Sequence, residues 1–146
     1  MMGFGPSPMR REIELLVRQA GRELGFDVIR ADDVDYSGEI WGNVELCLEN
    51  CSYGIAVFDT DSRDDQNLAV ELGYLFARRT PCLILRDQAL PPPASMLSHR
   101  VHSTFTAYDL RSTLQPQIER WLGAIAGQQT KRLSSLRRLR PEKVDL

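Results

Sequence analysis

Apolar positions along the chain follow two different spacings, which predict helices that alternate with strands. Four stretches place apolar residues three or four positions apart, as one face of a helix requires; they span residues 7–24, 39–50, 67–78 and 112–126. Four shorter, more continuously apolar stretches are typical of strands; they span residues 26–30, 53–58, 81–85 and 104–108. Helices that alternate with strands in this way predict βαβ units and an α/β fold with a parallel sheet.

The number of strands in this sheet is the open part of the prediction. The apolar stretches account for four strands, and a five-stranded doubly wound sheet requires one more before the first helix. Only residues 1–5 (MMGFG) precede that helix, so the first strand is either a stub or missing. We therefore expect a doubly wound parallel sheet of four to five strands, flanked by helices, in a single domain of residues 1–126.

Residues 127–146 differ from the rest of the chain in charge, and we assign them to a basic C-terminal tail. Their only acidic side chains are Glu142 and Asp145, whereas six are basic. The basic residues are Lys131, Arg132, Arg137, Arg138, Arg140 and Lys143. Such a segment is either a solvated, partly helical tail or a docking segment for an acidic partner.

The overall charge and hydrophobicity limit the classes of function. The formal net charge of -2 lacks the basic excess that nucleic-acid-binding domains usually carry, so no direct nucleic-acid partner is expected. No apolar run approaches the roughly 20 residues that a membrane-spanning helix needs, and the N-terminus lacks the apolar region of a signal peptide. We therefore expect a cytoplasmic protein with no membrane partner.

The three cysteines predict neither a disulfide framework nor a metal site. Their number is odd, and no further cysteine or histidine lies near Cys47 and Cys51 in sequence. We expect Cys47, Cys51 and Cys82 to be buried thiols, which behave as small hydrophobic groups. Trp41 and Trp121 fall at helical spacing and are likewise predicted to lie in the core. No metal and no cofactor are expected.

Polar residues follow each predicted strand, at the edge where open parallel sheets bind their ligands. Several carboxylates therefore gather at one rim of the predicted sheet. In chain order, the residues of interest after the predicted strands are Phe4, Gly5, Arg30, Asp32, Asp33, Asp59, Asp65 and Asp87. The alternative is that these aspartates only form turns and cap helices, which is a common use of aspartate in loops.

Glu71 is the most specific candidate for chemistry because of its place on the third predicted helix. At 100° per residue, Asn67, Glu71, Tyr74 and Arg78 form one polar row beside the apolar stripe of that helix. A carboxylate that borders a core-facing stripe is costly unless it faces a cavity or a partner. Glu71 also lies near the N-terminal end of the helix, where the helix dipole favours negative charge. The alternative is an ordinary surface glutamate in a good helix-forming position.

Several segments resemble, in the same order, the nucleoside 2-deoxyribosyltransferase-like and bacterial TIR-like proteins. Residues 67–74 (NLAVELGY) resemble their N-x-x-x-E-(L/V)-G-Y segment, and residues 30–36 (RADDVDY) resemble their RADD-x-x-Y loop. Residues 51–59 (CSYGIAVFD) resemble their GC-x-x-GIAVF strand, and residues 81–87 (PCLILRD) resemble their KPVCLLKD strand. The resemblance extends over residues 3–123, although the family's full first strand, FVMM-x-FG, is here only MGFG.

The resemblance implies a flavodoxin-like, or TIR-like, fold and an enzyme that cleaves or transfers at an N-glycosidic bond. Its substrate would be NAD or a nucleoside, and the helix glutamate, here Glu71, would be the key carboxylate. Breaking this bond builds positive charge on the sugar, which a carboxylate stabilises or attacks. A cationic nicotinamide leaves without protonation, whereas a nucleoside base usually needs a proton donor, for which Asp59 and Asp65 are the candidates.

The same resemblance implies roles for the rim residues. Asn67, together with Asp59 and Asp65, would position the sugar, while Phe4 and Tyr74 would hold the base. The alternatives are that Asn67 only helps to cap the helix and that Tyr74 packs against a neighbouring helix. The remaining predicted substrate-binding residues are Gly5, Arg30, Asp32 and Asp33. Family members often form homo-oligomers, and TIR-like ones often act in antiviral signalling. A non-catalytic nucleotide-binding module and a TIR-like interaction module remain the alternatives.

Overall fold

The computed structural model describes residues 7–30, 33, 40–60, 65–92 and 102–138; for residues 40, 65 and 133–138 it describes the backbone alone. Within this part of the chain, three strands and five helices form the predicted α/β arrangement. None of these helices combines the length and the apolarity needed to cross a bilayer. In chain order the elements are α1 (Pro8–Glu23), α2 (Ile40–Asn50), β1 (Gly54–Phe58), α3 (Asp65–Ala77), β2 (Cys82–Asp87), β3 (Ser103–Phe105), α4 (Leu110–Thr113) and α5 (Gln115–Arg138).

The three strands form one small open sheet in the order β1-β2-β3, and both neighbouring pairs are parallel. β1 pairs with β2 along its whole length, from Gly54 opposite Cys82 to Phe58 opposite Arg86. Parallel neighbours need a crossover connection, and α3 supplies the one between β1 and β2. The predicted four to five strands are not reached within the described residues.

The predicted strand of residues 26–30 is wrong within the part of the chain that the structure describes, because this stretch joins no strand ladder there. Its side chains Phe26 and Val28 do pack against the core. The backbone carbonyl of Val28, however, accepts a hydrogen bond of 2.7 Å from the Arg18 guanidinium of α1. A side chain thus takes the place that a neighbouring strand would occupy at this carbonyl, and the stretch is held on α1 rather than in the sheet.

The C-terminal part of the prediction also changes. The strand predicted for residues 104–108 is β3, which already ends at Phe105, and Asp109 then caps α4 by accepting a 3.1 Å hydrogen bond from the Ser112 amide. The helix predicted for residues 112–126 is α4 followed by α5, which continues as one helix to Arg138. Residues 127–138 of the predicted basic tail are therefore helical.

Helices cover the sheet on both faces, and each face has its own core. Odd-numbered strand residues, represented by Val57 and Leu85, belong to a cluster with α1, α4 and α5. Even-numbered residues, represented by Ala56 and Ile84, pack against α3 instead. α2 packs beside α3, where both helices meet around Leu75. Burial on both faces explains why β1 and β2 are almost continuously apolar in sequence.

α1 begins and ends where the sequence predicts. Pro8 takes the first helical position, where no amide donor is needed. Gly25 follows the end of the helix with a φ of 78°, a left-handed conformation that glycine adopts without strain. Ser7 is the N-cap by position, but its side chain makes no capping hydrogen bond. Between these ends, α1 buries one apolar face that includes Ile13 and Leu16.

Candidate functional site

The carboxyl edge of the sheet carries a buried ion pair between Asp59 and Arg10. Asp59 follows β1 and is fully buried, and Arg10 in the first turn of α1 is 5% exposed. The guanidinium donates two hydrogen bonds of 3.0 Å, one from Nε to Oδ2 and one from Nη2 to Oδ1 of the carboxylate. This bidentate contact fixes the N-terminal end of α1 at the carboxyl edge and engages both oxygens of Asp59.

The ion pair gives Asp59 a structural role that the sequence did not suggest. A proton donor or a sugar-positioning group must present an oxygen to the substrate, whereas both Asp59 oxygens accept hydrogen bonds from a buried guanidinium. The partner lies on α1, which covers one face of the sheet, while α3 covers the other. Asp59 and the helix of Glu71 therefore lie on opposite faces, and the predicted catalytic role of Asp59 stays a prediction.

Asp87 is a second buried carboxylate at the same edge. It ends β2, is 2% exposed and follows Arg86, the register partner of Phe58. If the pairing of Phe58 with Arg86 is extended by one residue in each strand, Asp87 lies opposite Asp59. Oδ1 of Asp87 accepts a 2.9 Å hydrogen bond from the Ala89 amide, whereas its buried Oδ2 has no hydrogen-bond partner among the described residues. The edge thus holds two buried carboxylates and one buried guanidinium.

Arg10 is a residue that the sequence prediction missed, although the sequence contains a signal for it. Arg10 shares a helix face with Ile13 and Val17, at positions i+3 and i+7 of the same buried stripe. A guanidinium on a core-facing stripe needs a buried partner, because burying an unpaired charge is very costly. The position of Asp59 directly after an apolar strand is a similar signal, although neither signal shows which buried charge is the partner.

Glu71 lies in the second turn of α3, roughly 9 Å along the helix axis from its first residue. The residues of the neighbouring stripe, Leu68, Leu72 and Leu75, are buried, as predicted. The Glu71 side chain is partly buried, and burial raises the pKa of this carboxyl above its ordinary value. Within the described residues, no hydrogen bond or salt bridge to Glu71 is formed.

Replacing Glu71 with glutamine is expected to increase the free energy of unfolding at pH 7. A raised folded-state pKa means that the ionised carboxyl is less stable in the folded chain than in the unfolded chain, so wild-type stability falls as the pH rises through this pKa. Glutamine stays neutral and avoids that loss, and the difference between the chains should vanish below the ordinary pKa of 4.5. Urea unfolding of both chains at pH 7 and at about pH 4 measures this difference in the free energy of unfolding. Glu49→Gln, which changes an exposed glutamate, is the control. A less stable Glu71→Gln at pH 7 would contradict the expectation.

The other predicted residues of α3 are more exposed than Glu71. Asn67 is exposed, and Tyr74 is 37% exposed. Arg78, the last member of the predicted polar row, donates a hydrogen bond to the carbonyl of Leu48 near the end of α2 and so joins the two helices. α3 begins earlier than predicted, at Asp65. The Asp65 side chain lies outside the described residues, as do the predicted Phe4, Gly5 and Asp32.

Arg30 and Asp33 are joined to each other and to α1 by a hydrogen-bonded network. Arg18 donates to Asp33 at 2.7 Å and to Glu14 at 2.8 Å, and Arg30 donates to Glu14 at 2.7 Å. Partial burial acts to raise the pKa of Asp33, but hydrogen bonds from Arg18 and from the Arg30 backbone lower this pKa below its ordinary value. The network holds the segment against α1, and substrate binding by Arg30 and Asp33 stays a prediction.

A cavity of about 740 Å³ lies beside β1, between α1, α2 and α5. Three aromatic rings line it: Tyr53 meets Phe26 and Trp121 edge to face, with ring centroids 6.0 and 6.2 Å away. Arg30 belongs to the lining, whereas Glu71 does not. The cavity has the volume of a small-molecule site, but it is separate from the candidate carboxylate on α3.

The predicted thiols and indoles follow the prediction only in part. Cys47, Cys51 and Cys82 are free, but they are half-buried rather than fully buried. Burial raises the pKa of Cys47 and of Cys51, which makes both poor nucleophiles at neutral pH. Trp121 packs against the core as predicted, whereas Trp41 is 58% exposed, so its predicted core position is wrong. Among the described residues, no three histidine, cysteine or acidic side chains are grouped so as to hold a metal.

No protein-family model matches this chain, and no curated protein or solved structure matches it either.

Proposed function

We propose that this chain cleaves, or transfers a group at, the N-glycosidic bond of NAD or a nucleoside, with Glu71 as the key carboxylate. The observation that carries this proposal is the setting of Glu71. Its carboxyl is partly buried, has a raised pKa and accepts no hydrogen bond from the described residues. The resemblance of residues 67–74 to the N-x-x-x-E-(L/V)-G-Y segment points to the same residue.

The setting of Glu71 suits a reaction that builds positive charge. Burial removes part of the hydration of the ionised carboxylate, so this anion is less stable before the reaction than it would be in water. Cleavage of the N-glycosidic bond makes the sugar cationic, and attraction to the carboxylate therefore grows toward the transition state. Glu71 then either stabilises this charge or bonds to the sugar carbon, while the base leaves with the electron pair of the broken bond. Water, or an acceptor in a transfer reaction, forms the new bond to the sugar carbon, releases Glu71 where it was bonded, and gives up a proton.

The Arg10–Asp59 pair favours NAD over a neutral nucleoside as the substrate. A neutral base accepts a proton as it leaves, so that reaction needs an acid besides the carboxylate at the sugar. Two acids were predicted as proton donors, Asp59 and Asp65, and the structure describes the side chain of Asp59 alone. Both oxygens of Asp59 accept hydrogen bonds from Arg10. Nicotinamide leaves from a cationic ring, and the electron pair of the broken bond neutralises it. One carboxylate, Glu71, is therefore sufficient for NAD.

Release of free base tests the proposal. The full chain is incubated with NAD and, separately, with purine and pyrimidine nucleosides, and the products are separated by chromatography. We expect nicotinamide release by the wild type and a loss of about 10³-fold in Glu71→Gln. The matched control is Glu49→Gln, an exposed helix glutamate, which should react at the wild-type rate. Base release that persists undiminished in Glu71→Gln would exclude this mechanism.

A non-catalytic nucleotide-binding module is the second candidate, and the cavity beside β1 favours it. This cavity combines aromatic rings, on which a base can stack, with the guanidinium of Arg30. Equilibrium dialysis with NAD distinguishes the two candidates. Binding of equal strength by the wild type and Glu71→Gln, without base release by either, would support the binding module. Substitution of Tyr53 by alanine should then weaken binding.

A further inference from the structure

Two free cysteines share one helical turn at the end of α2. Cys47 lies in the helix, and Cys51 directly follows its last residue. The Cys51 amide donates a 3.0 Å hydrogen bond to the Cys47 carbonyl, which is the contact that one further turn of an α-helix makes. Residues four apart on a helix have Cβ atoms about 5–6 Å apart. The two thiols are therefore neighbours on one side of the helix.

Both cysteines belong to the lining of the cavity of about 740 Å³ beside β1. Both are half-buried, so each is shielded from bulk water without being sealed in the core. The third cysteine, Cys82, is half-buried as well but does not line this cavity. The cavity thus gives a small ion a path to Cys47 and Cys51 together, and to no other thiol of the chain.

A positive charge lies beside Cys51. The Cys51 Sγ donates a 3.5 Å hydrogen bond to the Leu48 carbonyl, and the Arg78 guanidinium donates to the same oxygen. Two donors that share one acceptor are close neighbours, and a nearby guanidinium favours the thiolate form of a cysteine. Burial raises the pKa of Cys51, while the charge of Arg78 acts to lower it. Arg78 is thus placed to compensate negative charge that forms on this sulfur.

A pair of thiols in this arrangement suits a soft cation that needs few ligands. Thiolates select soft metal ions such as Cu(I) and zinc, but structural zinc takes four ligands. Within the described residues, no three histidine, cysteine or acidic side chains are grouped to hold a metal. Cu(I) is held by two thiolates in line. Metal–sulfur bonds of about 2.3 Å allow the sulfurs to lie up to about 4.6 Å apart, which rotation about χ1 achieves from these Cβ positions.

We propose that Cys47 and Cys51 bind one Cu(I) ion at the wall of the cavity. Each thiol releases its proton to solvent as its sulfur bonds to the ion, and the copper keeps its oxidation state. The two thiolates and the ion together carry one negative charge, which the Arg78 guanidinium offsets. This proposal is independent of the reaction assigned to Glu71, because Glu71 does not line the cavity.

Competition for Cu(I) with a coloured chelator, bicinchoninate, tests the proposal on the full chain without oxygen. The wild type is compared with Cys47→Ser, Cys51→Ser and the matched control Cys82→Ser, which removes the half-buried thiol outside the cavity. We expect one ion per wild-type chain and the release of two protons for each ion bound. Circular dichroism checks that each variant keeps its helices.

Each change in the pair should weaken Cu(I) binding by about 100-fold or more, because the loss of a ligand exceeds the loss of a supporting contact. Cys82→Ser and Glu71→Gln should bind Cu(I) like the wild type. Arg78→Gln should weaken binding by about tenfold, since it removes the compensating charge. The exposed neighbour Arg79→Gln is its control and should stay within about twofold of the wild type.

Protection from alkylation checks the same pair in the wild type, where no substitution disturbs the fold. Trypsin places Cys47 and Cys51 in the peptide of residues 31–63 and Cys82 in the peptide of residues 80–86. Mass spectrometry after treatment with iodoacetamide therefore reports on the pair and on Cys82 separately. One equivalent of Cu(I) should slow alkylation of the first peptide by about tenfold or more and leave that of the second unchanged.

Three results would overturn the proposal. The first is a wild type that takes no Cu(I) from the chelator, or that binds it no better than a chain with both Cys47→Ser and Cys51→Ser. The second is a Cys82→Ser variant that binds as weakly as the variants of the pair, because the site would then need a different set of sulfurs. The third is sedimentation of the loaded chain as a dimer with one ion for two copies, because the ion would then bridge molecules.

Discussion

Methionine in place of Arg10 is expected to lower the free energy of unfolding by about 3–5 kcal/mol. Arg10 and Asp59 are both buried and share two hydrogen bonds of 3.0 Å. Methionine keeps much of the apolar stem but removes the guanidinium, so a buried, ionised Asp59 loses the two hydrogen bonds and the positive charge of Arg10. Domains of this size are stable by about 5–15 kcal/mol, so the variant should be close to unfolding.

Urea unfolding at pH 7 measures this loss, with Arg11→Met as the matched control. Arg11 is the next residue of the same helix and is exposed, so its replacement should change the free energy of unfolding by no more than about 0.5 kcal/mol. Adding Asp59→Asn to Arg10→Met should recover part of the loss, because the carboxylate charge that Arg10 offsets in the wild type is then removed as well. Equal stability of Arg10→Met and Arg11→Met would show that the ion pair does not hold α1 at the sheet edge.

Alanine in place of Phe105 is expected to destabilise the fold by about 3–5 kcal/mol. Phe105 ends the short edge strand β3 and is 1% exposed. It belongs to the cluster that joins the sheet to α1, α4 and α5. Removing the ring loses buried apolar area and also leaves a cavity where four elements meet, and both effects act in the same direction.

Thermal or urea unfolding of Phe105→Ala and of two matched variants checks this expectation. Phe105→Leu keeps most of the buried volume and should cost less than about 1.5 kcal/mol. Tyr108→Ala removes an aromatic ring three residues later, where the side chain is 100% exposed, and should change stability by about 0.5 kcal/mol or less. If the three variants were equally stable, Phe105 would not join β3 to the helices.

The helices and the buried strands were largely predictable because their signals are local. The apolar face of α1 with Pro8 at its start and Gly25 after its end, and the apolar run of β1, each lie within one short segment. The position of Glu71 beside a buried stripe follows from helical spacing in the same way. Such periods need no knowledge of the rest of the chain.

Pairing between distant segments was not predictable in the same way. Residues 26–30 are rich in apolar residues like a short strand, yet a strand also needs a backbone partner, and Arg18 binds the Val28 carbonyl instead. Trp41 has helical spacing like Trp121, but only the packing of the helices decides which indole is buried. Spacing shows that a side chain shares a face with others, and it does not show what covers that face.

The sequence by itself determined an α/β chain with a glutamate at the border of a buried helix stripe, because propensity and spacing act over a few residues. The tertiary structure alone decided that the sheet separates Asp59 from α3 and that Arg10, 49 positions away, binds both oxygens of Asp59. It also decided that α5 continues as one helix to Arg138. Burial and ion pairing depend on which segments meet in space, and the order of residues along one segment does not contain that information.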